Sequence, residues 1–315
     1  MTNDPAATAA AAQAVPPAGQ RKRATLIGAL AILLWAALAV LTAYTPSFPA
    51  LQVNAMSFTV ASIAALILWR VRGDSIAGHL KQPPRAWALG VGGLLGYHAL
   101  YFAALKLAPP LEASLINYLW PLLIVVLSGL LPGERLRWFH VAGAALGLAG
   151  TVNLVLSKGS IAFDPAHLAG YGAALAAALT WSSYSVLSRR LASVPTDAVG
   201  GFCMATALLS WLLHFAFETT VLDAGPIEWL AVLGLGLGPA GLAFFFWDHG
   251  MKRGDIRALG SMAYAAPLLS TFLLILFGQG QLTWPVAAAC GLIVIGALLG
   301  TSDLRRKPAA GGQGG

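Results

Sequence analysis

The chain has 315 residues, of which 58% are hydrophobic and only 10% charged, whereas soluble domains carry about 25% charged residues. That composition excludes an ordinary water-soluble globule and makes a lipid bilayer the expected solvent. The net charge of +7 is split into short clusters between apolar stretches, which argues against the continuous basic surface of a nucleic-acid-binding protein.

Residues 1–20 are rich in Ala, Pro and Gln without periodicity and cannot bury enough surface to order themselves. With the basic triplet Arg21, Lys22 and Arg23 they are expected to form a disordered tail over 1–23. The apolar stretch that follows runs to Ala43, too long for the core of a cleaved signal peptide, and reads as a first spanning helix. About 20 apolar residues, rising 1.5 Å each, cross roughly 30 Å of hydrocarbon. Ten stretches meet that requirement: 24–43, 53–69, 86–105, 111–131, 138–156, 168–187, 199–217, 227–247, 259–277 and 284–300. A second loose tail is expected over 302–315. Cys203 and Cys290 both fall inside apolar stretches, as small buried hydrophobes rather than a disulfide framework.

Ten crossings place 17 of the 19 Lys and Arg residues in alternate loops on one side, leaving only Lys106 and Lys158 on the other. By the positive-inside rule that side is cytoplasmic, and both termini lie there. The acids Glu112, Glu134, Asp248 and Asp255 stand near helix ends, where they are expected to reach water.

The two halves of the chain resemble each other at a constant offset of 146 residues. Trp35 falls on Trp181, Tyr118 on Tyr264, Pro121 on Pro267, Trp138 on Trp284, Tyr101 on Trp247 and Gly150 on Gly296. Residues 24–156 and 157–301 therefore read as two five-helix repeats. Five is odd, so the second copy enters from the opposite side, the inverted arrangement of secondary transporters, whose sites lie near the midplane between repeats. Small residues spaced by four, at Gly92 and Gly96, Gly143 and Gly147, Gly234 and Gly238, and Gly296 and Gly300, are expected to be helix contacts.

No Walker lysine loop, HExxH or GxSxG occurs, so no enzyme activity, cofactor or metal is expected. His98 lies deep in the third span, where an ionisable group is either functional or a neutral ring bonded to a neighbouring helix. Tyr101 is one turn further along. Pro121 and Pro267 break the fourth and ninth helices and free the carbonyls of Asn117 and Ala263. Trp35, Trp120, Trp181, Tyr184, Phe244, Trp247 and Tyr264 sit at comparable depth; singly each suits lipid or packing, and together with Asn117 and His98 they suit a neutral amphipathic cavity. Tyr101 and its repeat mate Trp247 are candidates for opposite gates, because inverted repeats exchange roles when access switches.

The stretch from Ala24-Thr25-Leu26-Ile27-Gly28 to Trp35, the run Asn117-Tyr118-Leu119-Trp120-Pro121 with Glu112, and Trp181 with Tyr184 resemble the YddG-type amino-acid exporters of the EamA group, in the drug/metabolite transporter superfamily. The resemblance covers all ten spans. It implies a basket-shaped bundle with a central cavity formed by helices 1, 3, 4, 6, 8 and 9, and export of aromatic or other neutral amino acids; a bacterial inner membrane and a monomer are expected. Glu134 matches an acid that EamA members carry after the fourth helix, but the second repeat departs, with Gly280 between Gln279 and Gln281. Export of other small metabolites or drugs is the alternative, and a receptor or intramembrane enzyme a more distant one. Small multidrug exporters of the superfamily use a Glu on the first helix, which this chain lacks.

Overall fold

The computed structural model describes residues 17–157, 159, 161–276 and 281–305, without the side chains of 304 and 305. Expectations for residues 1–16, Lys158, the 277–280 stretch with Gln279 and Gly280, and 306–315 lie outside this set. All regular structure among the described residues is helical. In chain order the helices are α1 (Ala18–Ala36), α2 (Leu38–Ala43), α3 (Ala50–Val71), α4 (Ile76–Leu80), α5 (Pro84–Leu107), α6 (Pro110–Asn117), α7 (Trp120–Ser128) and α8 (Trp138–Leu156). The second half follows with α9 (Leu168–Ser188), α10 (Ala198–Phe217), α11 (Pro226–Leu237), α12 (Ala243–Arg253), α13 (Ile256–Ala263), α14 (Ala265–Leu276), α15 (Trp284–Gly300) and α16 (Ser302–Arg305).

Among the described residues, eight rods are long and apolar enough to cross a membrane: α1 with α2, α3, α5, α6 with α7, α8, α10, α11 with α12, and α13 with α14. The other two expected stretches are also helical. They are α9, which carries Ser182, Ser183, Ser185 and Ser188, and the 17-residue α15.

Several boundaries differ from expectation, two of them by six residues. Helix α1 begins at Ala18, inside the expected tail, and α12 continues to Arg253. Both extensions carry side chains whose partners are distant in sequence: Arg21 reaches Glu134, and Lys252 reaches the Val194 carbonyl. Local composition does not reveal such partners.

The rods pair as α8 with α15, α5 with α9, α3 with α10, α1 with α12 and α7 with α13. Exchanging every rod for the one 146 residues away maps this set of pairs onto itself. The α8–α15 seam brings backbone against backbone: a Cβ on Gly143 would stand 2.6 Å from the Gly296 carbonyl oxygen, and one on Gly296 2.5 Å from that of Gly143. Gly92 touches nothing within 4 Å, and Gly96 and Gly238 make only ordinary contacts. The close approaches are made instead by Gly90 against Phe202, Gly93 against Tyr184 and Gly236 against Val60. Residue spacing identifies small stripes but not which face meets a neighbour.

Polar contacts show which loops share an end. Arg21, the α7–α8 segment, the α9–α10 segment and the α12–α13 turn are joined by ion pairs among Arg21, Glu134, Arg189, Asp255 and Arg257. Arg72 to Asp197 and Arg137 to Asp303 add the α3–α5 loop and the C-terminal helix to the same end. At the other end Ser47 bonds Glu228, Ala162 bonds Glu112, and His167 bonds the Leu107 carbonyl. Alternate loops thus lie at alternate ends.

Candidate functional site

The two mid-rod prolines shape the centre. Pro121 has no N–H to give the Asn117 carbonyl, and the fourth rod separates into α6 and α7 at Tyr118–Leu119. The ninth separates into α13 and α14 at Tyr264, just past Ala263. The breaks fall at equivalent positions, so each half-helix ends in carbonyls without helical partners and the next begins with free N–H groups. A third interruption, a π-helical turn at Gly238–Leu242, divides α11 from α12. The Pro239 carbonyl there accepts the Trp35 indole N–H at 3.1 Å.

Between these breaks lies a cavity of about 320 Å³. Its walls come from the rods numbered 1, 3, 4, 6, 8 and 9, the set that the resemblance implied. Trp35, His98, Tyr101, Asn117, Trp120, Trp181 and Phe244 line it, as does Pro267. Tyr97, Tyr118, Leu38, Ala39, Pro239, Ala240, Ala266 and Ser270 complete the wall. None of these sixteen side chains is an acid, Lys or Arg.

The cavity occupies the half of the bundle away from the ion-paired end. Its floor is aromatic: the Trp35 ring stands 5.0 Å from Trp247, 5.6 Å from Trp181, 6.0 Å from Phe244 and 6.3 Å from Trp120. Edge-on and tilted contacts at these separations are the favoured aromatic geometry. Beneath it, Trp247 is fully buried and donates its indole N–H to Ser185 Oγ at 3.0 Å. Ser182 Oγ bridges back to the Trp120 carbonyl at 3.0 Å.

Tyr184, Tyr264, Trp247 and Pro121 do not reach the cavity. Tyr264 is wholly buried, with its hydroxyl accepting the Leu122 N–H at 3.1 Å. It satisfies one of the donors exposed by the break beside Pro121. Tyr184 packs against Gly93 and Trp181 on the far side of the floor. Its position one turn past Trp181 on α9 takes it toward the ion-paired end.

Polar groups inside the cavity differ in role from a simple donor set. Asn117 donates through Nδ2 to the Tyr97 hydroxyl at 3.1 Å, and its Oδ1 is buried without a partner. His98 Nδ1 is 2.7 Å from the Leu94 carbonyl. A carbonyl only accepts, so Nδ1 carries the proton and the neutral ring offers Nε2 as an acceptor. Both side chains therefore present an acceptor to the cavity. Tyr97, with its oxygen already accepting from Asn117, keeps its own proton to donate, while Tyr101 shares a hydrogen bond with Ser114 at 3.0 Å.

The expectation that the four acids reach water is overturned. Glu112, Asp248 and Asp255 are buried, and the Glu134 carboxylate is 5% exposed. Asp248 pairs with Lys252 at 2.9 Å and accepts the Thr196 hydroxyl at 2.8 Å. Among the missed cavity residues, Tyr97 was detectable as the residue one turn before Tyr101 on the same face. Pro239 was detectable as a third mid-rod proline, preceded by Gly238.

The sequence matches the EamA-like transporter family twice, over residues 22–156 and 168–301. The chain belongs to the EamA-like transporter family. It is accordingly a multi-pass membrane protein and a transporter rather than an enzyme. An aromatic amino acid exporter YddG of Ancylobacter novellus is 53% identical over 287 residues, covering 91% of this chain and 99% of that one. An aromatic amino acid exporter YddG of Salmonella typhimurium is 23% identical over 91% of this chain and 99% of its own. A crystal structure at 53% identity superposes with a TM-score of 0.86 and covers 91% of this chain and 100% of the other. The two family matches begin 146 residues apart.

Proposed function

We propose that this EamA protein exports neutral amino acids, aromatic and other apolar ones, from the cytoplasm across a bacterial inner membrane. The observation that carries this reading is an aromatic cavity without formal charge that holds an unpartnered acceptor, Asn117 Oδ1. A volume of about 320 Å³ is at the low end for small-molecule sites and suits one amino acid. The substrate ammonium would meet Asn117 Oδ1, His98 Nε2 and the freed Asn117 carbonyl, whereas Ala263 is buried and does not wall the cavity. The carboxylate would face the Tyr97 hydroxyl and the positive N-terminal ends of α7 and α14, the arrangement that discontinuous transporter helices present to anionic groups. A substrate with net charge would leave one buried charge without a partner, at a cost of several kcal/mol. Aromatic walls supply apolar contact without strict shape, which favours broad side-chain tolerance.

Alternating access by ten spanning helices in two inverted repeats is the mechanism we propose. The pairing pattern that survives exchange of the repeats, the equivalent breaks at Asn117 and Ala263, and the double family match support it. Alternate loops at alternate ends, with the basic clusters at one, support cytoplasmic termini. The cavity then opens toward the outside, with Tyr101 at its mouth and Trp247 in the closed gate below. Thermal unfolding in detergent tests the substrate assignment. Phe, Trp and Met should raise the midpoint in the native protein, and Asn117→Ala should lose the effect. Stabilisation by Lys or Glu alone would refute it.

A further inference from the structure

Below the aromatic floor five charged side chains converge. Arg21 Nη2 lies 3.2 Å from Glu134 Oε2 and 3.0 Å from Asp255 Oδ2. Arg257 Nη2 lies 3.2 Å from Glu134 and 3.3 Å from Asp255, and Arg189 Nη1 3.4 Å from Glu134 Oε1. No side chain in the cluster exceeds 18% exposure. Arg189 also donates to the carbonyls of Met251 and Gly254 at the end of α12, and the Asp255 N–H donates to Thr25 Oγ1 on α1. Burial alone would raise the Asp255 pKa, but Arg21 and Arg257 outweigh it and hold the carboxyl below its usual range. The cluster thereby ties together the ends of α1, α7, α9, α12 and α13, which belong to five of the six rods that wall the cavity. Only α5 is left out.

We propose that this cluster is the ionic latch of the cytoplasmic gate, with Glu134 and Asp255 as its positioning residues, and that its charges have no counterparts at the repeat-equivalent positions of the opposite gate. The proposal rests on the alternating-access reading. Opening the bundle at this end must separate α1, α7, α9 and α13, and therefore these charges. The positions 146 residues away are His167, Gly280, Ala43, Pro109 and Leu111, so none of the three guanidinium groups and neither carboxylate is repeated. The acid at Glu134 without a mate at Gly280 is thus explained: it serves one gate. The latch also has a sign. Three guanidinium groups face two carboxylates, and the buried Arg21 Nε has no partner. Removing a carboxylate leaves cations uncompensated and drives the ends apart, whereas removing Arg21 leaves two pairs in balance.

The test uses the full chain in sealed vesicles, with Cys203 and Cys290 replaced by Ala. Single cysteines report on the two sides: Ser188→Cys, beneath the floor, and Ser270→Cys, in the cavity. A membrane-impermeant maleimide is applied from each side in turn. In Glu134→Gln, labelling at position 188 from the cytoplasmic side should rise on the order of tenfold or more, with a fall at position 270. Arg21→Gln should label position 188 no faster than the native protein. Asp303→Asn, which removes the pairs with Arg137 and His140 outside the cluster, should change neither. Opposite responses to the loss of an acid and of Arg21 separate a latch from simple destabilisation. Should Glu134→Gln fail to fold, Asp255→Asn keeps an acceptor for the N–H groups of Arg257 and Ala258 and carries the same expectation. Equal responses of the acid and Arg21 variants, or none in a folded acid variant, would overturn the latch. Loss of alternating access itself would show differently, as Phe failing to change labelling at either position in the native protein.

Discussion

Tyr118 and Tyr264 stand at equivalent positions, each just past a break in an apolar rod, and have opposite surroundings. Tyr118 lines the cavity. Tyr264 is fully buried, its ring against Gly147 and its hydroxyl on the Leu122 N–H. Tyr101 and Trp247 repeat the contrast, one at the cavity wall and the other sealed below the floor. Equivalent sequence reproduces the backbone break but not the environment of each ring, a difference that we propose reflects which end of the bundle is closed. That separation of local geometry from exposure is the behaviour expected of repeats that exchange roles.

The contrast is broken most severely by truncating the buried member. Tyr264→Ala should destabilise the protein by about 3–5 kcal/mol in thermal or denaturant unfolding, the range for large aromatic truncations. Tyr118→Ala should leave stability nearly unchanged while altering transport. Tyr264→Phe sharpens the comparison, because it strands only the Leu122 N–H. Its cost should be about 1–3 kcal/mol, against no measurable loss for Tyr118→Phe. Equal destabilisation by the two Phe variants would mean that the rings are not in different states.

Smaller effects are expected inside the cavity and at the surface. Asn117→Ala should raise the apparent KM for Phe by about tenfold, the scale of one lost hydrogen bond to a charged group, while protein yield is maintained. Trp138→Ala and Trp284→Ala should each change stability by less than about 0.5 kcal/mol. These mates are 75% and 82% exposed and bury little.

The rods were legible because crossing a bilayer needs length and apolarity, both of which are local. The breaks at Pro121 and Pro267 were legible because a missing N–H is a property of the residue itself. Trp35, Asn117 and Trp181 could be assigned to the cavity by depth and by repeat equivalence. Depth failed for Tyr184 and Tyr264, since it does not say which side of the floor a ring occupies. The acids were misplaced for another reason: the partner of Arg21 is 113 residues away at Glu134, and nothing near a helix end distinguishes water from a distant guanidinium. His98 was recognised as deep, but which ring nitrogen faces the cavity as an acceptor could not be judged without the Leu94 carbonyl that fixes the ring proton.

The most direct measurement of the central claim is counterflow in proteoliposomes preloaded with unlabelled Phe and given labelled Phe outside, with no pH gradient. The account predicts transient accumulation of label, competed by Trp and Met but not by Lys or Glu, and persisting in His98→Ala because the cavity needs no titrating group. Accumulation seen only with charged solutes, or accumulation that requires a pH gradient and is lost in His98→Ala, would contradict it.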